Sequence, residues 1–368
     1  MTSSKSSTQF FTMDSIPKCS APFRNKGTFF TGGDGKTKYT PCCYRRIPAL
    51  TAEHWQDSEI VELRKGLVGL GPTNPACEEC LSYGSLSTAR LYDYPVANKS
   101  TLTHFGFDPE TGTCLEEGLS STIFIGAKCN LACRMCSGFV SNTYNYVHPE
   151  HSNKCLKVSS DGYDTTVQKG VSNVCIAGGE PLLIDVTKQI LIDVAEQNGC
   201  SFIITNGSVE LDNNEIYETM KKYKIDNYVM VSLDGDWDTH EWIRCGIDIE
   251  LLKRNIKRMR NDGVLKGINT VVSSMNYDKL LFPIKYADEL GIDIDFTFLN
   301  SPDFFSCKYV ELEKRKAAAM ELYEYIKFSV TRKKNKQRIL HVIDGLINLE
   351  YLGKRQDIGN YIYLTRDV

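Results

Sequence analysis

Cys129, Cys133 and Cys136 form a Cys-x3-Cys-x2-Cys run. Thiolates are soft donors, so this spacing points to iron or zinc. On three corners of a [4Fe-4S] cube they would hold three irons and leave the fourth without a protein ligand. That is an open position of the kind catalytic zinc keeps for a small molecule. The chain has 14 cysteines in all, and five of the others, Cys19, the Cys42-Cys43 pair and the Cys77-x2-Cys80 pair, precede the triplet. Cys114, Cys155, Cys175, Cys200, Cys245 and Cys307 are scattered singly and read as small buried hydrophobes. Clustered thiols in a chain of 368 residues with a polar start, Met1 to Thr8, fit a metalloprotein of a reducing, cytoplasmic setting rather than a disulfide scaffold.

Four further features sit where chemistry is expected. Gly178-Gly179-Glu180-Pro181 pairs glycines, which allow close backbone approach, with a carboxylate able to accept from an ammonium. Thr205-Asn206-Gly207 and Ser232-Leu233-Asp234-Gly235 are short polar turns, and Arg244 can hold a carboxylate through its planar fork.

These groups must be placed by secondary structure, and from about residue 120 the pattern alternates between strand and helix at βα spacing. Strands are expected at 122–126, 173–177, 201–205, 228–233, 268–272 and 293–299, and helices at 183–197, 214–222, 249–261 and 277–290. The triplet and each polar turn then fall just after a strand, where the loops of α/β sheets carry their chemistry. Two more helices, at 311–330 and 337–352, are expected to cover a sheet edge. Residues 9–100 are proline-rich and loop-rich, with one convincing helix at 52–67 and five cysteines, so a metal centre would have to supply cross-links there.

The triplet, its place after the first strand and the Gly-Gly-Glu-Pro turn after the second resemble the radical S-adenosylmethionine (radical SAM) superfamily over about residues 120–300. The resemblance implies an α/β fold, a partial (β/α)6 barrel with a small loop-rich N-terminal cysteine module. It also implies a [4Fe-4S] cluster on Cys129, Cys133 and Cys136, with SAM on its open iron. Gly178, Gly179, Glu180 and Pro181 would meet the methionine end of SAM, Asn206, Ser232 and Asp234 would line its pocket, and Arg244 would partner its carboxylate. Asn269 and Val271 would border ribose and adenine. Many relatives place an aromatic residue before the third cysteine, where this chain has Met135.

Cys19, Cys42, Cys77 and Cys80, together with Gly35, Pro41 and the helix near 55–67, resemble the twitch half of SPASM/twitch auxiliary-cluster domains, in an order similar to phage radical SAM proteins. That implies a second iron-sulfur cluster. Six residues separate Gly35 from Cys42 where four are usual, so Cys43 stays open as the ligand, and the same four cysteines also describe a zinc site. The implied division is a tail at 1–12, the cysteine module at 13–100, the barrel at 115–300 and a helical extension at 301–368.

Composition narrows the alternatives. With 43 Lys+Arg against 46 Asp+Glu, the chain has no field that would draw nucleic acid, and no run approaches the length needed to cross a bilayer. The basic runs at 253–258 and 332–334 read as solvated helix faces. The resemblance implies an external electron donor such as flavodoxin or ferredoxin, and a peptide, protein or small-molecule substrate in an oxidoreductase-type or peptide-modifying reaction. Cys245, Cys307, His148 and His151 are secondary candidates near the substrate. A zinc-binding or electron-transfer protein without SAM chemistry is the rival class.

Overall fold

Short runs rich in β-branched residues, each followed by an amphipathic helix, fold as βα units because a parallel neighbour can be reached only through a crossover. A computed structural model of the chain describes residues 25–31, 37–38, 56, 58–72, 74–75, 106–115, 119–138, 140–149, 171–224, 227–299, 302–329 and 331–349. Its sheet contains β1 (Asn25–Thr31), β2 (Thr37–Lys38), β3 (Leu119–Phe124), β4 (Val171–Ala177), β5 (Cys200–Thr205), β6 (Asn227–Ser232), β7 (Leu265–Val272) and β8 (Asp293–Phe298). The spatial order is β2-β1-β3-β4-β5-β6-β7-β8. β3 to β8 run parallel in sequence order and make the expected half-barrel. β1 adds a further parallel strand beside β3, and β2 pairs antiparallel with β1, two strands for which the sequence reading has no counterpart.

The helices are α1 (Ser58–Leu67), α2 (Asn142–Val147), α3 (Val186–Glu196), α4 (Glu215–Lys222), α5 (Trp237–Ile243), α6 (Ile249–Asn261), α7 (Leu281–Leu290), α8 (Leu312–Phe328) and α9 (Lys333–Asn348). α4, α5 and α6 begin on Asn214, Asp236 and Asp248, whose side chains accept from a main-chain N–H three residues on. α5 is absent from the sequence reading. α7 starts four residues later than expected because the chain is still turning over 274–278, a turn opened by the Asn276 side chain accepting from the Ser273 N–H.

Alternation along the strands divides the sheet into two faces. Val174, Ile176, Ile203, Val229, Val231, Ile268 and Ile294 lie under the helices and are at most 1% exposed. Phe124, Cys175, Ala177, Phe202, Ile204, Tyr228 and Val271 point the other way, into the concave lumen, and are half-buried. Burying a full aliphatic side chain contributes about 1.5–3 kcal/mol, so the helix-covered face is the main source of stability. Ile60 of α1 joins this core. Arg64 on the same helix is fully buried and ties α1 to the 106–115 segment through the carbonyl of Gly112.

The outer edge of β8 is closed by side chains instead of another strand. Asn335 of α9 accepts from the Ile294 N–H (3.1 Å) and donates to the Ile292 carbonyl (3.0 Å), while Arg338 donates to the Ile294 carbonyl (3.0 Å). Lys334 and Arg338 also pair with Asp293 and Asp295. The C-terminal helices therefore cover the edge as the sequence reading expects. No helix among the described residues is long and apolar enough to cross a membrane.

Asn335→Ala removes both edge bonds and leaves a buried strand N–H without a partner. The expected loss is about 2 kcal/mol in a urea melt; an unchanged midpoint would show that the α9 cover is dispensable.

Candidate active site at the strand C-termini

The three-cysteine loop leaves the C-terminal end of β3 and has no ladder of its own, so its polar backbone groups must find partners elsewhere. α2 supplies one set. Asn142 accepts from the Cys129 N–H (3.0 Å), Thr143 donates to the Cys129 carbonyl (2.5 Å), and the N-cap Ser141 donates to the Leu131 carbonyl (3.0 Å). The C-terminus of α5 supplies a second set, since the last carbonyls of a helix lack intrahelical donors. Ala132 N–H donates to the Cys245 carbonyl (3.1 Å), Arg134 N–H to that of Ile243 (2.8 Å), and Arg134 Nε to that of Trp242 (2.9 Å). The Arg134 guanidinium also stacks 4.4 Å from the Trp242 ring centre.

The Gly-Gly-Glu-Pro turn after β4 presses on the loop from a third side. Gly179 has φ +51°, and a Cβ there would stand 2.4 Å from the Lys128 carbonyl oxygen, so only glycine fits. Its N–H donates to the Val140 carbonyl (3.1 Å), and the Glu180 N–H to that of Lys128 (2.8 Å). The Glu180 side chain turns inward and is fully buried. It accepts from the Leu182 N–H (3.0 Å), the Thr205 hydroxyl (2.7 Å) and the Asn206 N–H (2.8 Å). Sequence reasoning offered this carboxylate to an ammonium, whereas the structure uses it to bind the end of β5 to the end of β4. Burial raises its pKa above the ordinary carboxylate range, and the three donors work against that shift. Pro181 begins the short 3-10 turn that follows. Asn206 continues the chain of contacts by donating to Asn130 in the cysteine loop (2.8 Å), whose own amide donates to the Ser208 carbonyl (3.0 Å).

Asp234, after β6, is the junction of the opposite side and is fully buried. Its carboxylate accepts from Arg244 Nε (2.7 Å) and from the Val271 N–H (2.9 Å). Its N–H donates to His240 Nδ1 (3.0 Å), and its carbonyl accepts from Asn276 (2.7 Å). Burial alone would lower the basicity of Arg244, but the Asp234 carboxylate outweighs it and holds the guanidinium above its ordinary value. The two terminal NH2 groups of Arg244 donate to nothing among the described residues. The Ser232 hydroxyl and the Asn269 side-chain amide are also without hydrogen bonds there, and these two residues are direct partners across β6 and β7. Three sets of free donors thus share the end of the sheet that carries the thiols.

Burial raises all three thiols, Cys136 to about 11 and Cys133 further, and the positive charge of Arg244 opposes the shift in each. Cys133 also feels both other thiols, which places the three within electrostatic reach of one another. A four-iron cube binds each thiolate at a separate iron, and three thiols on one loop fit three corners of such a cluster.

Several sequence candidates stand elsewhere. Cys307 and Cys114 are buried packed thiols, with Cys307 raised to about 12 and Cys114 to about 11, both mainly by burial. The Cys245 thiol donates to the Trp242 carbonyl. His148 packs tilted against Tyr144, ring centres 4.8 Å apart. Of the basic runs, Lys253, Arg254, Arg258, Arg332 and Lys334 are engaged in ion pairs. His151, Cys155, Cys19, Cys42, Cys43, Cys77 and Cys80 lie outside the described residues. Sequence reasoning missed His240, Asn276, Asn130 and Arg134: the last three act on residues distant in the chain, and His240 acts on Asp234, six residues before it, across the turn into α5.

A half-barrel of parallel strands with a three-thiol loop at its C-terminal edge defines the class. Residues 123–280 match the family model of the Radical SAM superfamily. A probable GTP 3',8-cyclase of Methanocaldococcus jannaschii is 25% identical over 252 residues, covering 67% of this chain and 80% of that protein. Among solved structures, Streptococcus suis SuiB aligns with TM-score 0.47 and 17% identity over 80% of this chain and 64% of its own. Native anSMEcpe with bound AdoMet aligns with TM-score 0.44 and 18% identity over 56% and 60%. The chain thus spans less than two thirds of either solved structure's length.

Two substitutions test the clamp. Gly179→Ala forces the Lys128 carbonyl away and is expected to cut the iron retained on anaerobic reconstitution, with a stability loss of about 1–3 kcal/mol. Glu180→Gln turns one acceptor into a donor facing N–H or O–H groups, and should cost about 2 kcal/mol in a denaturant melt. Wild-type iron content in the first or an unchanged melt in the second would contradict the assigned contacts.

Proposed function

We propose that the protein is a radical SAM enzyme that abstracts hydrogen from a neutral, apolar side chain, of a peptide or protein in the first instance. The observation that carries this is the set of free polar groups facing three clustered thiols: the Arg244 fork, the Ser232 hydroxyl and the Asn269 amide. Cys129, Cys133 and Cys136 hold a [4Fe-4S] cluster. When bound, the cluster supplies the electron that splits SAM into methionine and a 5'-deoxyadenosyl radical.

Arg244 receives the SAM carboxylate on its terminal NH2 groups while Asp234 fixes its Nε. Ser232 and Asn269, side by side on β6 and β7, meet the ribose. Gly178 and Gly179 bring main chain close to the methionine end, and Pro181 and Asn206 hold that turn in place. Met135 makes a soft apolar contact in place of the usual aromatic ring. The lumen wall carries Phe124, Ala177, Ile204, Met230 and Val271, an apolar lining that excludes water and suits an uncharged substrate group.

Cys19, Cys42 and the Cys77/Cys80 pair would hold an auxiliary iron-sulfur cluster of the twitch type, which would supply a substrate-binding or electron-accepting centre. An external donor of the flavodoxin or ferredoxin kind would supply the electron. A nucleotide substrate is the second reading, favoured by the 25% identity to a probable GTP 3',8-cyclase. Against it, a triphosphate calls for clustered cations, and the lumen residues just named carry none.

The test is anaerobic reconstitution with iron and sulfide, comparing wild type with the Cys129→Ala/Cys133→Ala/Cys136→Ala triple variant. Wild type should bind about eight irons and form 5'-deoxyadenosine from SAM on reduction, while the triple variant keeps about four and forms none. Zinc in place of iron, or no 5'-deoxyadenosine from wild type, would overturn the reading in favour of a structural metal protein.

A further inference from the structure

His240 is fully buried on α5 and accepts the Asp234 N–H at Nδ1, 3.0 Å away. An imidazole that accepts at Nδ1 carries its proton on Nε2, and the Nε2 atom is buried without a hydrogen-bond partner. An orphaned buried donor is unfavourable, so the position gains something else from histidine than satisfied polarity. What it gains is the grip on Asp234. With His240 on its N–H, Asn276 on its carbonyl, and the Val271 N–H and Arg244 Nε on its carboxylate, Asp234 has every polar group held. Only then does the carboxylate take Arg244 by Nε alone and leave the two NH2 groups free.

Resting on the radical SAM reading, we propose that His240 is a positioning residue for SAM: it locks the Asp234 peptide so that the Arg244 fork is presented to the SAM carboxylate. The imidazole works as a neutral acceptor. Burial first, and the Arg244 cation second, hold its basicity well below the ordinary histidine range. His240 holds the Leu233–Asp234 peptide by its N–H while Asn276 holds the Asp234–Gly235 peptide by its carbonyl, so Asp234 is fixed on both sides.

The test compares His240→Leu, which removes the acceptor, with His240→Asn, whose amide oxygen stands near the place of Nδ1. Three quantities are measured on reconstituted full-length protein: iron per chain, SAM affinity by calorimetry, and hydrogen exchange at the Asp234 amide without SAM. In His240→Leu, SAM affinity should fall about ten-fold or more and the Asp234 amide should exchange about ten-fold faster, with iron content as in wild type. In His240→Asn both should return to within about three-fold of wild type. Wild-type SAM affinity in His240→Leu despite a faster amide would overturn the proposal by making the contact merely structural. Failure of His240→Asn to slow the amide would overturn it too. If His240→Leu does not fold, His240→Gln, which lacks an acceptor at the Nδ1 position, takes its place under the same criteria. Failure of wild type itself to bind SAM would instead refute the radical SAM reading, while the exchange measurement would still decide whether His240 holds Asp234.

Discussion

A loop that must present three thiols cannot also be a strand or a helix, so its backbone needs partners from outside. Everything around this site follows from that requirement. Three elements meet it: the first turn of α2 on Cys129 and Leu131, the Gly179–Glu180 turn on Lys128, and the last carbonyls of α5 on Ala132 and Arg134. Each net hydrogen bond contributes only about 1 kcal/mol, but an unmet buried partner costs more, so the loop has one arrangement in which all are met. The position of α5 is therefore bound to the thiols, and with it that of Arg244, which lies just past the end of the helix.

The Asp234–Arg244 pair is the second constraint. Two charges withdrawn from water are costly, and such pairs are weak evidence for stability in themselves. Here the remaining lone pairs of Asp234 are met by Val271 and its peptide by His240 and Asn276, so the carboxylate becomes a fixed anchor for the guanidinium. The pair also sets the charge of the site. Arg244 opposes the effect of burial at all three thiols, each of which stays raised.

Much of this was legible in sequence because it rests on local patterns. The six barrel strands show as β-branched runs, and the thiol spacing and glycine turns fall at their ends, so motif and element support each other. β1 and β2 were not legible: Asn25–Thr31 has a glycine inside it, and Thr37–Lys38 is too short to carry a pattern. The inward role of Glu180 was hidden as well, because its partners Thr205 and Asn206 lie 25 and 26 residues further along. A carboxylate beside glycines reads as a ligand group until those partners are seen. His240 was missed for a similar reason, since nothing in a short helix after β6 shows that a ring nitrogen will meet the Asp234 peptide. The N-terminal cysteines carry a pattern that reads equally as zinc or iron, and chemistry rather than spacing separates the two.

The central claim is that the Cys129/Cys133/Cys136 site keeps one coordination position for SAM. Electron paramagnetic resonance on the reduced, reconstituted full-length protein, recorded with and without SAM, addresses it most directly. To isolate the site, the measurement is repeated with Cys77→Ala/Cys80→Ala. The account predicts a reduced-cluster signal whose g values shift on adding SAM, and that the shift survives in the Cys77/Cys80 variant. A signal indifferent to SAM, or one that disappears with Cys77 and Cys80, would contradict it.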